Sequence, residues 1–256
     1  METFEEFAFL RFAMTKQRHL IRAGISQHVF QRSFDRHIIF TSAVDAIFFV
    51  SVYYVYSLKY RVETLAFCLM DNHVHFLCKT EKPSDLNAFV RDYSSVFVKG
   101  YNAYHKRIGE LFQKPFGYAG KVGDKKLRTC VIYINNNPVE AGKTSEMEQY
   151  IWNLFSFGTS NNPFSEQIVH RKASKKMRRS IKEIKSSFNQ HKILKPMQLE
   201  CLFAGLSNKE KQQFRDYILK EYSPVNYEKV KTIFGSLGKA IIAMHSFMGS
   251  EYDIKM

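Results

Sequence analysis

An α+β fold with a mainly antiparallel sheet is what this sequence predicts, on three observations. Short runs rich in Val, Phe and Tyr with alternating character interleave with longer runs of helical periodicity. Two strand-like runs meet at Asp71-Asn72, a natural turn pair, so hairpins rather than long crossovers connect the strands. Finally, 256 residues with 45% hydrophobic and 15% aromatic content, including 23 Phe and 14 Tyr, can bury a sizeable core.

The elements follow in order. Residues 1–26 are a mixed arm carrying Lys16, Arg18 and Arg22. Residues 27–34, Q-H-V-F-Q-R-S-F, alternate polar and apolar side chains and read as a strand. Thr41 or Ser42 caps a helix over 43–59 whose apolar density implies deep burial. Residues 60–70 and 73–79 form the hairpin. Pro83-Ser84 opens a long helix, 85–107, with Leu86, Phe89, Val90, Tyr93 and Phe97 at helical spacing. A looser strand over 112–122 is broken by Pro115, Gly117 and Gly120. The next helix, 124–137, has Leu127, Cys130, Val131 and Ile134 on its apolar side, and Pro138 is expected to close it.

Composition shifts near residue 160, which divides the chain into a catalytic-type domain (1–160), a basic linker (161–195) and a small helical region (196–256). Between Arg171 and Lys195 ten basic residues face a single acid, Glu183. Helices are expected over 197–206, 210–222 and 227–247, the second opened by the capping-box pair Ser207 and Glu210.

Charge narrows the function. Lys and Arg total 38 against 24 acids, a formal charge of +14 that fits a protein contacting phosphates. The longest apolar stretch, 43–58, is interrupted by Asp45 and Ser51 and is too short and polar for a membrane span. The acidic start Met1-Glu-Thr-Phe-Glu-Glu lacks the basic region of a secretory signal. Four scattered cysteines (Cys68, Cys78, Cys130, Cys201) show no C-x-x-C pair, which argues against a zinc ribbon and suits reduced thiols in a cytoplasm.

Chemistry concentrates in two places. In M-D-N-H-V-H-F-L, a strand period of two puts His73 and His75 on one face, where two imidazoles can share one divalent cation if a third ligand comes from elsewhere. Tyr133 and Asn137, four apart, share one helix face. A phenol beside an oxygen ligand is what metal-assisted phosphoryl transfer needs, the tyrosine as nucleophile and the cation neutralising phosphate charge. From spacing alone the bland alternatives stay open: half-buried hydrogen-bonded histidines, a core tyrosine, and asparagines capping a helix end.

His73-Val74-His75 within L-M-D-N-H-V-H-F-L, followed about sixty residues later by Y-I-N-N-N-P-V-E-A-G, resembles the single-tyrosine HUH transposases, both insertion-sequence enzymes and REP-associated tyrosine transposases. Gly100-Tyr101-Asn102-Ala103-Tyr104, Gly109-Glu110-Leu111-Phe112-Gln113 and the opening H-V-F-Q-R-S-F-D-R fit the same pattern, so the resemblance spans roughly residues 25–157. It implies a ferredoxin-like antiparallel sheet with packed helices, the HUH endonuclease fold; it does not reach the C-terminal hundred residues, which composition reads as a basic helical C-terminal region. His73, His75 and Asn137 would bind Mg²⁺ or Mn²⁺. Tyr133 would attack single-stranded or hairpin DNA, giving a 5′-phosphotyrosine link and a free 3′-hydroxyl, with no nucleotide cofactor and no membrane partner. Asp71 stands where proline is usual and Asn135 where histidine is common; neither removes a required group. Monomer and helix-exchanged homodimer both remain open, and the expected location is the cytoplasm, on the nucleoid.

Two other readings share these residues: a domesticated binder of structured DNA without turnover, and a metal-dependent hydrolase using water, with Tyr133 idle. In the basic stretch, Arg171, Lys172, Lys175, Lys176, Arg178 and Arg179 could track a DNA backbone, or simply form a solvated charged linker.

Overall fold

The computed structural model describes Ile21 and residues 24–246; the basic arm with Lys16, Arg18 and Arg22 lies outside the described residues. A four-stranded sheet organises the chain, in the spatial order β2-β3-β1-β4. Its strands are β1 (Ser26–Arg32), β2 (Glu63–Met70), β3 (His73–Lys79) and β4 (Gly117–Lys121). All neighbouring pairs are antiparallel. Two helices interrupt the strand sequence, α1 (Ala43–Lys59) between β1 and β2, and α2 (Pro83–Tyr104) between β3 and β4. This is the ferredoxin-like arrangement.

Local chemistry sets the boundaries. Ser42 and Asp45 form a reciprocal capping box at the start of α1. Pro83 opens α2, where its missing N–H costs nothing. The fourth strand is shorter than the 112–122 run expected from the sequence. Phe112 makes only an isolated bridge to Ser33, and pairing with β1 begins at Gly117. Helix α3 (Gly123–Glu140) follows, and here Pro138 does not close the helix. Pro138 lies in the last turn, where a lost N–H removes a single bond and the ring's fixed φ is already helical.

The two faces of the sheet are covered differently. Val29, Val74 and Phe76 point toward α1 and α2, where Tyr53 and Phe89 pack on Phe76 with ring centroids 5.1 and 6.2 Å away. His28, Phe30 and Arg32 of β1 and His73 and His75 of β3 point to the other face, against α3. That alternation follows from the strand period of two.

The C-terminal helices are α4 (Lys175–Asn189), α5 (Pro196–Phe203), α6 (Asn208–Glu221), α7 (Tyr227–Phe234) and α8 (Leu237–Ser246). The stretch read as a basic linker therefore holds α4. Its Phe188 ring stacks on Tyr54 of α1 at 5.5 Å, and Leu194 N–H donates to Ser51 Oγ at 3.1 Å. The chain then crosses the β2 edge, where Asn226 N–H donates to the Thr64 carbonyl at 2.8 Å. Capping an edge strand in this way removes a template for aggregation. Beyond the crossing, α7 and α8 pack on α3, on the opposite side of the sheet from α4. The helix expected over 227–247 is split at Gly235, whose φ of +82° is a left-handed helix stop.

Candidate active site

Antiparallel register assembles the site. His73 lies across from Arg32 on one side and Met70 on the other, and His75 across from Phe30 and Cys68. The His73 and His75 rings are nearly perpendicular, with centroids 5.0 Å apart. Tyr133 of α3 meets them from above the sheet. Its ring is edge-on to His75 at 5.9 Å and to His28 at 5.6 Å, and the residue is only 6% exposed. The structure thus brings His75 and Tyr133 into ring contact, with His73 beside His75 on the open side, half-buried.

Asn137 stands one turn beyond Tyr133, half-buried, with its Nδ2 donating to the Tyr133 carbonyl at 2.8 Å. That bond aligns the amide and leaves Oδ1 as the acceptor able to meet a cation. The neighbouring asparagines do other work. Asn135 is buried and donates to the Val131 carbonyl at 2.8 Å, and Asn136 donates across to the Met244 carbonyl of α8 at 2.8 Å. None caps the helix end.

His28 is the participant that motif reasoning missed. It is 1% exposed, and its Nε2 lies 3.0 Å from His75 Nδ1. The only sequence signal was the alternation in Q-H-V-F-Q-R, which puts His28, Phe30 and Arg32 on one face. Which face, and opposite what, depends on register that the residues alone do not state.

The donor set fits a divalent cation. His73 Nδ1 is held by Asn72 Oδ1 at 2.7 Å; an amide oxygen can only accept, so Nδ1 carries the proton and Nε2 keeps its lone pair. For His75 to offer Nε2 in the same way, its Nδ1–H must donate to His28 Nε2. Burial pushes the His73 pKa down to about 4, with Arg32 adding to the shift; it pushes His28 down to about 3 and lowers His75 well below the ordinary value. All three imidazoles are therefore neutral near pH 7, the form that binds metal. Among the described residues no group of three or more His, Cys, Asp or Glu side chains could hold a metal ion, so the two imidazoles would need a donor of another kind, such as the Asn137 amide oxygen.

The six basic candidates lie elsewhere. Arg171, Lys172, Lys175 and Arg179 are exposed, whereas Lys176 donates to the Cys201 carbonyl at 2.7 Å and Arg178 to the Ala173 carbonyl at 2.6 Å. Because α4 rests on α1, this basic surface is on the opposite face of the sheet from Tyr133.

A ferredoxin-like antiparallel sheet that presents a His-x-His strand to a tyrosine-bearing helix has the HUH endonuclease fold. Residues 22–137 match the family model described as transposase, IS200-like, so this part of the chain is similar to that family. Among solved structures, a REP-associated tyrosine transposase bound to a REP hairpin is similar, at 15% identity and a TM-score of 0.48, covering 63% of this chain and 96% of that one. No curated protein matches the chain. No helix among the described residues is long and apolar enough to cross a membrane.

Proposed function

We propose that the protein cleaves and rejoins single-stranded or hairpin DNA through a 5′-phosphotyrosine intermediate on Tyr133, with Mg²⁺ or Mn²⁺ held by His73, His75 and Asn137. The observation that carries this reading is the edge-on placement of the Tyr133 ring against His75, on the same sheet face as His73. A nucleophile and a cation site need such proximity to act on one phosphate.

The bound cation would neutralise charge on the phosphate and help ionise a phenol whose ordinary pKa is near 10. The chain's own residues do the rest. Tyr133 Oη forms the bond to phosphorus as its phenol proton passes to solvent, the bond to the 3′ oxygen breaks, and that oxygen takes a proton from solvent and leaves as a hydroxyl. Reversal by another 3′-hydroxyl rejoins DNA without ATP, because the phosphotyrosine conserves the bond energy. Asn72 and His28 hold the two imidazoles in their ligand tautomers, and Asn137 stays aligned through its bond to the Tyr133 carbonyl. On the far face, Arg171, Lys172, Lys175 and Arg179 of α4 and the loop before it would track a DNA backbone.

Incubation with a randomised single-stranded DNA pool in Mn²⁺ tests the reading. A protein–DNA adduct that survives SDS is expected from the wild type and not from Tyr133→Phe. Release of a protein-free 5′-phosphate would instead make water the nucleophile. Binding of hairpin DNA without any cleavage would mark a domesticated binder.

A further inference from the structure

Arg32 is the last residue of β1, lies directly across from His73 in the antiparallel register, and points to the same sheet face as both metal-site histidines. Its side chain is exposed, and among the described residues no carboxylate pairs with it. Its guanidinium instead lies over an aromatic ring. The guanidinium carbon is 5.9 Å from the centroid of the Phe30 ring, and that ring lies 6.0 Å from the His75 ring. Phe30 is itself seated across Gly117 of β4, where a Cβ would come within 2.0 Å of the Phe30 ring. The glycine gives the ring room, the ring supports the arginine, and the arginine stands at the mouth of the site.

On this face an exposed arginine, with no carboxylate partner among the described residues, stands across from His73. Its charge lies across the register from His73, on the sheet face that a cation held by His73 and His75 would occupy. A guanidinium on that face suits an anion arriving with the metal. The guanidinium's planar donors match two oxygens of a phosphodiester.

We propose that Arg32 is a catalytic residue that grips the non-bridging oxygens of the scissile phosphate, with Phe30 as its platform. The assignment rests on the phosphotyrosine reading of the site. As the attacked phosphate gains charge, the guanidinium stabilises it without moving a proton.

The test compares the full-length wild type with Arg32→Gln and Arg32→Lys. Mn²⁺ affinity is read without DNA by electron paramagnetic resonance, and adduct formation on the randomised single-stranded pool by SDS gel. Arg32→Gln is expected to form adduct about 100-fold more slowly, the loss typical of one donor aimed at developing charge. Its Mn²⁺ affinity should be unchanged or tighter, because a repelling charge has gone, and Arg32→Lys should recover part of the rate. Wild-type adduct rates in Arg32→Gln would overturn the assignment. So would a parallel loss of Mn²⁺ affinity, which would make Arg32 a support of the metal site. If the wild type forms no adduct at all, the Tyr133 reading fails separately. Arg32 is then judged by the Mn²⁺-dependent gain in oligo(dT) affinity: a loss in Arg32→Gln supports it, and equal affinity overturns it.

Discussion

Asn72 lies against His73 Nδ1 and His28 against His75 Nδ1, which leaves the Nε2 atoms of the two motif histidines facing away from these partners. Asn72 accepts from His73 Nδ1 at 2.7 Å, so Asn72→Ala should weaken Mn²⁺ binding by about 10–100-fold, measurable by titration. Unchanged affinity would show that the ring is oriented by other contacts. The burial of the imidazoles also sets a pH dependence. An unfolded histidine takes its proton near pH 6.5, but folded His73 does so only near about 4 and His28 near about 3. In between, the unfolded chain holds more protons. Stability is therefore complete above the unfolded value and falls as pH drops toward the folded ones. Metal-free melts should lose Tm from about pH 7 to about pH 5, and His28→Gln should reduce that slope. An identical slope in the variant would contradict the buried, neutral His28. At this scale the sequence displayed His73, His75, Tyr133 and Asn137 through two spaced motifs. It did not display His28 or Arg32, since a strand's polar residues announce a face but not the partner across it.

Glycines at close approaches govern how the elements seat. On α2, Gly100 lies against Phe48 of α1, and a Cβ there would be 2.5 Å from the ring. Gly100→Ala should cost about 1–3 kcal/mol in urea unfolding, because the ring is held in a packed core. Gly117→Ala, which displaces the Phe30 ring, should slow adduct formation even where the protein remains folded, since Arg32 rests on that ring. A folded Gly117→Ala protein with wild-type rates would mean that the platform is dispensable. The boundaries of α1 and β3 follow directly from Ser42, Asp45 and the Asp71-Asn72 turn. The short β4 and the split at Gly235 were harder to read. Phe112 carries a strand-like side chain but reaches only a single bridge, and a lone glycine in a helical pattern does not announce its φ.

Over the whole molecule, the catalytic-type site and the basic surface sit on opposite faces of one sheet, with the C-terminal chain passing round the β2 edge between them. A single strand that touches both has to follow that edge or extend beyond it. Replacing Arg171, Lys172, Lys175 and Arg179 together with Gln should lower the salt slope of single-strand binding by about 3 if each meets one phosphate. Mn²⁺ affinity should stay as it was, because those residues are remote from His73 and His75. A salt slope equal to the wild type's would assign the basic surface to solvent. Composition alone revealed the tract of positive charge. Its placement opposite Tyr133 depends on Phe188 stacking on Tyr54 and Leu194 bonding Ser51, long-range contacts with no local signature.

The most direct measurement is peptide mapping by mass spectrometry of the covalent complex formed with single-stranded DNA in Mn²⁺. The account predicts a nucleotide attached through its 5′-phosphate to Tyr133, with a free 3′-hydroxyl on the released strand. Attachment at any other residue, or an equal yield of adduct from Tyr133→Phe, would contradict it.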